Sequence, residues 1–101
     1  MSVKFIADIG SNHNGDIDRA IRLIEEASRV GCYAIKFQLF DGSLSANPTV
    51  AAVYEKNQLP LSFLPRLRGA ADANGIQFHL TITHEKFLPY LEYAHAAKIG
   101  S

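Results

Sequence analysis

The sequence predicts an α/β fold in which parallel strands are curled and helices lie outside them. Runs typical of strands alternate with runs typical of helices, from a first strand to a fourth, and this alternation is the βαβ signature. Every predicted strand is also polar at alternate residues, whereas strands covered by helices on both faces are nearly continuously aliphatic. Polar residues on one common face fit the N-terminal half of a TIM (β/α)8 barrel, as a single partial-barrel domain over residues 1–101.

The first part of the chain supplies two strands and the helix between them. Residues 3–9 form the first strand, Gly10 closes it, and Asp16 can cap the helix that follows. That helix ends near Gly31, and residues 33–40 form the second strand. Its apolar residues recur at helical spacing: Ile17, Ala20, Ile21, Ile24 and Ala27.

The second part continues the alternation after a long connection whose short apolar piece is of uncertain state. Ser62 precedes a helix that is predicted to run through Asp72, and the β-branched, alternating residues 76–83 form the third strand. Residues 84–94 have a helical pattern, although Pro89 inside them should kink or shorten the helix. A fourth strand begins at residue 96, which gives the four strands of half a barrel.

Two lysines stand among the polar residues of these strands. Lys36 and Lys98 would project from two strands into one enclosed interior, with Asp8 as their counter-charge. A buried charge needs a compensating partner, and two ammonium groups facing one carboxylate predict an anionic ligand. Another interpretation is that the Lys36 head group simply reaches water. The neutral donors expected nearby are Gln38, Thr81 and Ser101.

Composition excludes several classes of partner. Ten basic and ten acidic residues leave no net charge, so no electrostatic footprint for nucleic acid or for an anionic membrane is expected. The single cysteine, Cys32, cannot form an internal disulfide, and the N-terminal residues carry no targeting pattern. A cytoplasmic protein is therefore expected.

Three stretches, "IADIGSNHNGD", "AIKFQ" and "AAKIGS", together resemble the sialic acid synthase family, enzymes that condense phosphoenolpyruvate with an amino sugar. The resemblance implies that Lys36, Lys98, Thr81 and Ser101 hold phosphoenolpyruvate and that Gln38 lines the sugar side. It also implies substrate contacts from Asn12 and His13 and catalytic roles for Asp8, Lys36 and Lys98. His13 could equally be a turn residue bonded to its own backbone, and Asp8 could simply neutralise a lysine.

The implied reaction joins phosphoenolpyruvate to an N-acetylated hexosamine such as N-acetylmannosamine and releases phosphate. A divalent metal, commonly Mn²⁺, would assist, with no ligand to it expected from this chain. Two residue patterns depart from the family: Asp8 stands where a glutamate is usual, and "LTIT" replaces a Ser-Thr-Pro-Phe run. A full barrel takes roughly 250 residues, so about half of one is expected here.

Three functional interpretations follow. The chain is the phosphoenolpyruvate-binding part of an enzyme, or a half-barrel module that pairs with itself or with a separate C-terminal half, or an excised piece of a longer protein. Two open strand edges favour the pairing interpretation, because unpaired strands recruit other chains. A homo-oligomer is accordingly expected.

Overall fold

A computed structural model describes residues 3–10, 13–41 and 47–100. These ranges contain four strands, three α-helices and two stretches of 3₁₀ helix. The strands are β1 Ile6–Gly10, β2 Ala34–Leu39, β3 Gln77–Ile82 and β4 Ala96–Ile99. The helices are α1 Ile17–Arg29, α2 Pro48–Asn57 and α3 Leu64–Ala73, and the 3₁₀ stretches are Leu61–Phe63 and Glu85–Tyr93.

The four strands form one parallel sheet in the order β1-β2-β3-β4. Pairing between β2 and β3 and between β3 and β4 is regular, whereas the register of β1 on β2 shifts between Asp8 and Gly10. The predicted α/β half-barrel, with sequential parallel strands and helices to one side, is thereby confirmed at the level of the sheet.

The core lies between the sheet and the helices. Alternate residues of β2 and β3 point into it, and Phe37 and Phe78 meet there with ring centroids 5.6 Å apart. The helix faces turned toward the sheet supply branched residues against them, such as Ile24 and Leu67. The opposite face of the sheet is therefore left to the polar residues of the same strands.

Local signals account for the helix ends. The Asp16 carboxylate accepts hydrogen bonds from the backbone N–H groups of Asp18 and Arg19, so the predicted cap of α1 is confirmed. Gly31 follows α1 with a φ of +88°, a left-handed conformation that glycine adopts without steric strain. The chain can therefore turn sharply into β2.

Three elements differ from expectation. β1 spans Ile6–Gly10 rather than residues 3–9. The connection of uncertain state contains a complete helix, α2, whose start is fixed by the Asn47 cap and by Pro48 in the first turn. Residues 85–93 form 3₁₀ turns rather than an α-helix, because Pro89 removes a backbone donor inside the segment. Across the described ranges, no helix is both long and apolar enough to cross a membrane.

Candidate anion site on the polar face of the sheet

The predicted polar residues converge on one cavity. It has a volume of about 210 Å³ and opens on the face of the sheet opposite the helices. Its lining combines two ammonium groups, one carboxylate, one amide, one hydroxyl and one bare backbone segment: Lys36, Lys98, Asp8, Gln38, Thr81 and Gly100. Five of these six residues were selected from the sequence.

Strand register explains why these side chains meet. Thr81 pairs with Gln38 on one side and with Lys98 on the other, so the three form one row across the sheet. A second row begins with Asp8 and Lys36, which are also paired directly. Because residues paired in register on neighbouring parallel strands share a face, and so do residues two apart on one strand, both rows lie on the face where the cavity opens.

The two rows differ in charge. Lys36 Nζ lies 3.4 Å from Asp8 Oδ2, and their side chains are 24% and 65% exposed. An ion pair this open to water contributes little stability, so Asp8 does not hold Lys36 strongly against an incoming anion. Lys98 belongs to the row that it forms with Thr81 and Gln38, and none of these three residues carries a negative charge. The cavity therefore has an excess of one positive charge.

The expectation of an enclosed interior is wrong for the described part of the chain. All four residues of β4 are exposed, and Lys98 with them. Four strands curve around only part of an interior, so water reaches both lysines from the open side. Lys36 is the better shielded of the two because it lies on an inner strand with neighbours on both sides.

His13 is placed apart from this cavity. It is fully buried, its ring centroid is 6.1 Å from that of Phe37, and its Nδ1 accepts a hydrogen bond from the backbone N–H of Gly15. Its Nε2 has no hydrogen-bond partner among the described residues. Burial holds the pKa of His13 below its usual value. These contacts match the interpretation of a turn residue bonded to its own backbone, and a substrate contact by His13 stays a prediction.

Two of the selected residues, Asn12 and Ser101, lie outside the described residues. Their roles stay predictions.

The sequence predicts no role in the site for Gly100, and for His79 it leaves both a structural role and a substrate contact open. Gly100 lines the cavity, and a Cβ at this position would lie 3.3 Å from the Thr81 side chain, closer than side chains usually pack. His79 lies on the polar face, paired with Lys36. The sequence pattern could have indicated this place, because His79 and Thr81 are two residues apart on β3 and so lie on the same face. His95, for which the sequence suggested no partner, accepts from the Phe78 backbone N–H and contacts Asp72.

The segments that follow β2 and β3 contact each other beside the cavity. Lys86 forms an ion pair with Asp41, which joins the segment after β3 to the segment after β2. Close by, the Thr83 hydroxyl donates a hydrogen bond of 3.0 Å to the Leu39 carbonyl. These contacts hold the carboxyl ends of the two central strands side by side, where Gln38 and Thr81 face the cavity.

The divalent metal implied by the resemblance finds no ligand set here. In the described part of the chain, no three His, Cys, Asp or Glu side chains come close enough together to hold a metal ion. Asp8 is the one carboxylate that lines the cavity, and its nearest charged contact is an ammonium group. These described residues alone do not fit a metal centre.

The chain is 43% identical over 63 residues to the N,N'-diacetyllegionaminic acid synthase of Legionella pneumophila. It is 48% identical over 40 residues to the N-acetylneuraminate-9-phosphate synthase of Drosophila melanogaster. Its structure matches the N-acetylneuraminic acid synthetase of Leptospira borgpetersenii, crystallised in complex with citrate, with a TM-score of 0.88 and 26% identity. The resemblance to the sialic acid synthases is confirmed. No family model matches the chain.

The matches to the sialic acid synthases cover different shares of this chain and of the relatives. The structural match covers 98% of this chain and 36% of the Leptospira synthetase. The sequence matches cover 61% and 40% of this chain, and 18% and 11% of the Legionella and Drosophila proteins. The chain thus spans much less than half the length of the sialic acid synthases that it matches.

Proposed function

We propose that this chain is the phosphoenolpyruvate-binding part of a sialic acid synthase-like enzyme. The observation that carries the proposal is the convergence of Lys36 and Lys98, from two different strands, on one cavity with neutral donors between them. The names of the Legionella, Drosophila and Leptospira relatives support the same class of reaction. The acceptor would be an N-acetylated hexosamine, such as N-acetylmannosamine.

The charges of phosphoenolpyruvate suit this cavity. Its carboxylate and its phosphate each accept hydrogen bonds, and charge-assisted bonds from ammonium groups are stronger than bonds between neutral groups. Lys36 and Lys98 supply the cations, and the Thr81 hydroxyl lies between them in the register. Binding both ends of the anion would fix the orientation of its reactive methylene group.

In the proposed reaction the methylene carbon of phosphoenolpyruvate bonds to the aldehyde carbon of the open-chain sugar, and the aldehyde oxygen takes up a proton and becomes a hydroxyl group. Water then adds at the carbon that bears the phosphate and gives up a proton, and the bond from that carbon to the phosphate oxygen breaks, so that inorganic phosphate leaves with the bonding electron pair. Lys36 and Lys98 would stabilise the negative charge of the phosphate as it leaves. Gln38 and Asp8 lie on the β1 and β2 side of the cavity, where an amide and a carboxylate can bind sugar hydroxyl groups.

A divalent metal such as Mn²⁺ would polarise the sugar aldehyde in the complete enzyme, with ligands from outside the described residues. A cytoplasmic location belongs to the same proposal, since Cys32 is a free thiol.

The test is a thermal-melt titration of the full chain with phosphoenolpyruvate. A ligand that binds only the folded state stabilises it by about 2.7 kcal/mol at a hundredfold excess over Kd. The wild type is expected to melt at a higher temperature with ligand. Lys36→Met and Lys98→Met are each expected to bind at least tenfold more weakly, because a hydrogen bond to a charged group contributes about 1.5–3 kcal/mol.

Lys56→Ala is the matched control, because Lys56 is an exposed lysine in the last turn of α2. It should show the wild-type shift. A ligand-induced shift that is equal in all four proteins would mean that phosphoenolpyruvate binds elsewhere. A cooperative melt with no shift in the wild type would contradict the proposal.

A second candidate function, assembly through the sheet edges, is favoured by one observation. Within the described residues, β1 and β4 each pair on one side only, and Ile99 on β4 is 74% exposed. Unpaired parallel edges can pair with a second copy. We expect light scattering to show a concentration-dependent dimer that Ile99→Lys weakens. A monomer at every concentration tested would contradict assembly and leave the anion-binding proposal untouched.

A further inference from the structure

His79 lies on the polar face of the sheet, beside the lining of the cavity rather than within it. It is paired with Lys36 on β2, and it precedes Thr81 by two residues on the same face of β3. A separation of two residues along a strand is about 6.6 Å, so the imidazole lies one layer below the hydroxyl that lines the cavity. This separation from Thr81 is shorter than one Debye length, about 8 Å at physiological ionic strength, so a charge on His79 is only partly screened from a ligand bound at Thr81.

The surroundings of the empty cavity oppose a charge on this ring. Burial lowers the pKa of His79 most, and the neighbouring His95 and the Lys36 ammonium lower it further. From the β2 side, the Tyr33 ring meets the imidazole edge-on with centroids 6.2 Å apart. On β3 itself the neighbour is neutral, since the Gln77 Oε1 lies 3.0 Å from His79 Nε2. Two carboxylates among the described residues lie near this layer, and both have partners: Asp8 is paired with Lys36, and Asp72 with Arg68 and His95.

An anion in the cavity reverses this balance. Lys36, Lys98 and Asp8 together carry one net positive charge. A ligand with one carboxylate and one phosphate brings more than two negative charges at neutral pH, since a phosphate monoester alone carries about 1.5 to 2. The filled cavity would hold excess negative charge directly above an imidazole that can accept a proton.

We propose that His79 takes up one proton from solvent when a carboxylate and phosphate anion fills the cavity, and so becomes a third cation beneath the two lysines. This inference rests on the proposed function. It assigns to the anion site a residue, His79, that acts on the bound anion through its charge and does not touch it. Coupling between two bound species is reciprocal. Proton uptake on binding therefore means that the anion binds more tightly as the pH falls, by up to tenfold per pH unit.

The probe must not titrate itself. Phosphoenolpyruvate carries a phosphate that gains a proton near pH 6. Sulfoacetate, with one carboxylate and one sulfonate, stays fully ionised above about pH 5. We would record NMR titrations of the four histidines in the full chain, with and without saturating sulfoacetate, and assign the His79 resonance with His79→Gln. Affinities at pH 6 and pH 8 would be measured for both proteins by calorimetry.

The expected result is a rise in the pKa of His79 with sulfoacetate bound, while that of exposed His84 stays within error. Affinity should rise between pH 8 and pH 6 in the wild type and much less in His79→Gln. Sulfoacetate that binds without moving the His79 titration would overturn this inference alone, because phosphoenolpyruvate binding and its loss in the lysine variants would still support the proposed function. Failure of both anions to bind would overturn both.

Discussion

Phe78→Ala is expected to lower the free energy of unfolding by about 3–5 kcal/mol. The Phe78 side chain is fully buried between the sheet and the helices, and its ring packs against Phe37. Its removal loses apolar burial and leaves a void that close-packed neighbours fill only in part. Since small domains have total stabilities of about 5–15 kcal/mol, this loss is a large fraction of the total. Urea unfolding followed by circular dichroism measures this directly.

Phe78→Leu is the control for that experiment. It keeps an apolar side chain of nearly the same size, so its loss should be less than half that of the alanine variant. Equal losses in the two variants would mean that the ring does not fill the core as described. A loss below about 1 kcal/mol in Phe78→Ala would mean the same.

The second large effect is a loss of stability in acid that depends on His13. Its pKa in the folded protein is held below the usual value by burial, while the unfolded chain titrates near 6.5. The unfolded state then binds more protons than the folded state, so stability falls with decreasing pH below about 6.5. The slope reaches at most about 1.4 kcal/mol per pH unit from this one group. Above that pH the contribution is complete and constant.

The chain offers a matched pair for the test. His84 makes the same local bond as His13, with Nδ1 accepting from the backbone N–H two residues on, but it is exposed. His13→Asn keeps an acceptor near that position and cannot titrate, and it should flatten the fall between pH 6.5 and pH 5. His84→Asn should leave the fall as in the wild type. The opposite pattern would show that burial of His13 is not the cause.

Elements with a signal in their own residues were predictable. α1 has an aspartate cap, one apolar face and a glycine beyond its end, and all three were read from the sequence. α2 was left uncertain because its apolar residues do not gather on one face, although Asn47 and Pro48 mark its start. The sequence pattern over residues 85–93 predicts an ordinary helix, whereas the structure has 3₁₀ turns there. The pattern does not show which type of helical turn forms around Pro89.

Some features of the site were likewise predictable from the sequence, and others were not. Alternation along a strand placed Lys36, Gln38 and Thr81 on one face, and sequence order placed Lys98 beside them. How far water reaches them could not be predicted, because exposure depends on which elements lie across the interior. The hydrogen-bond partners of His95 could not be predicted from the sequence either. Its bond to Phe78 joins residues 17 positions apart, and only the packed structure fixes that contact.

The strand order β1-β2-β3-β4 has a consequence for synthesis of the chain on the ribosome. Chains emerge from the N-terminus at about 5–20 residues per second, and each described strand after β1 has a partner already made when it appears. No strand waits for a later one to be inserted beside it, and no formed pair has to reopen. The polar face is thus built in order, with Asp8 and Lys36 brought together first and Thr81 and Lys98 last.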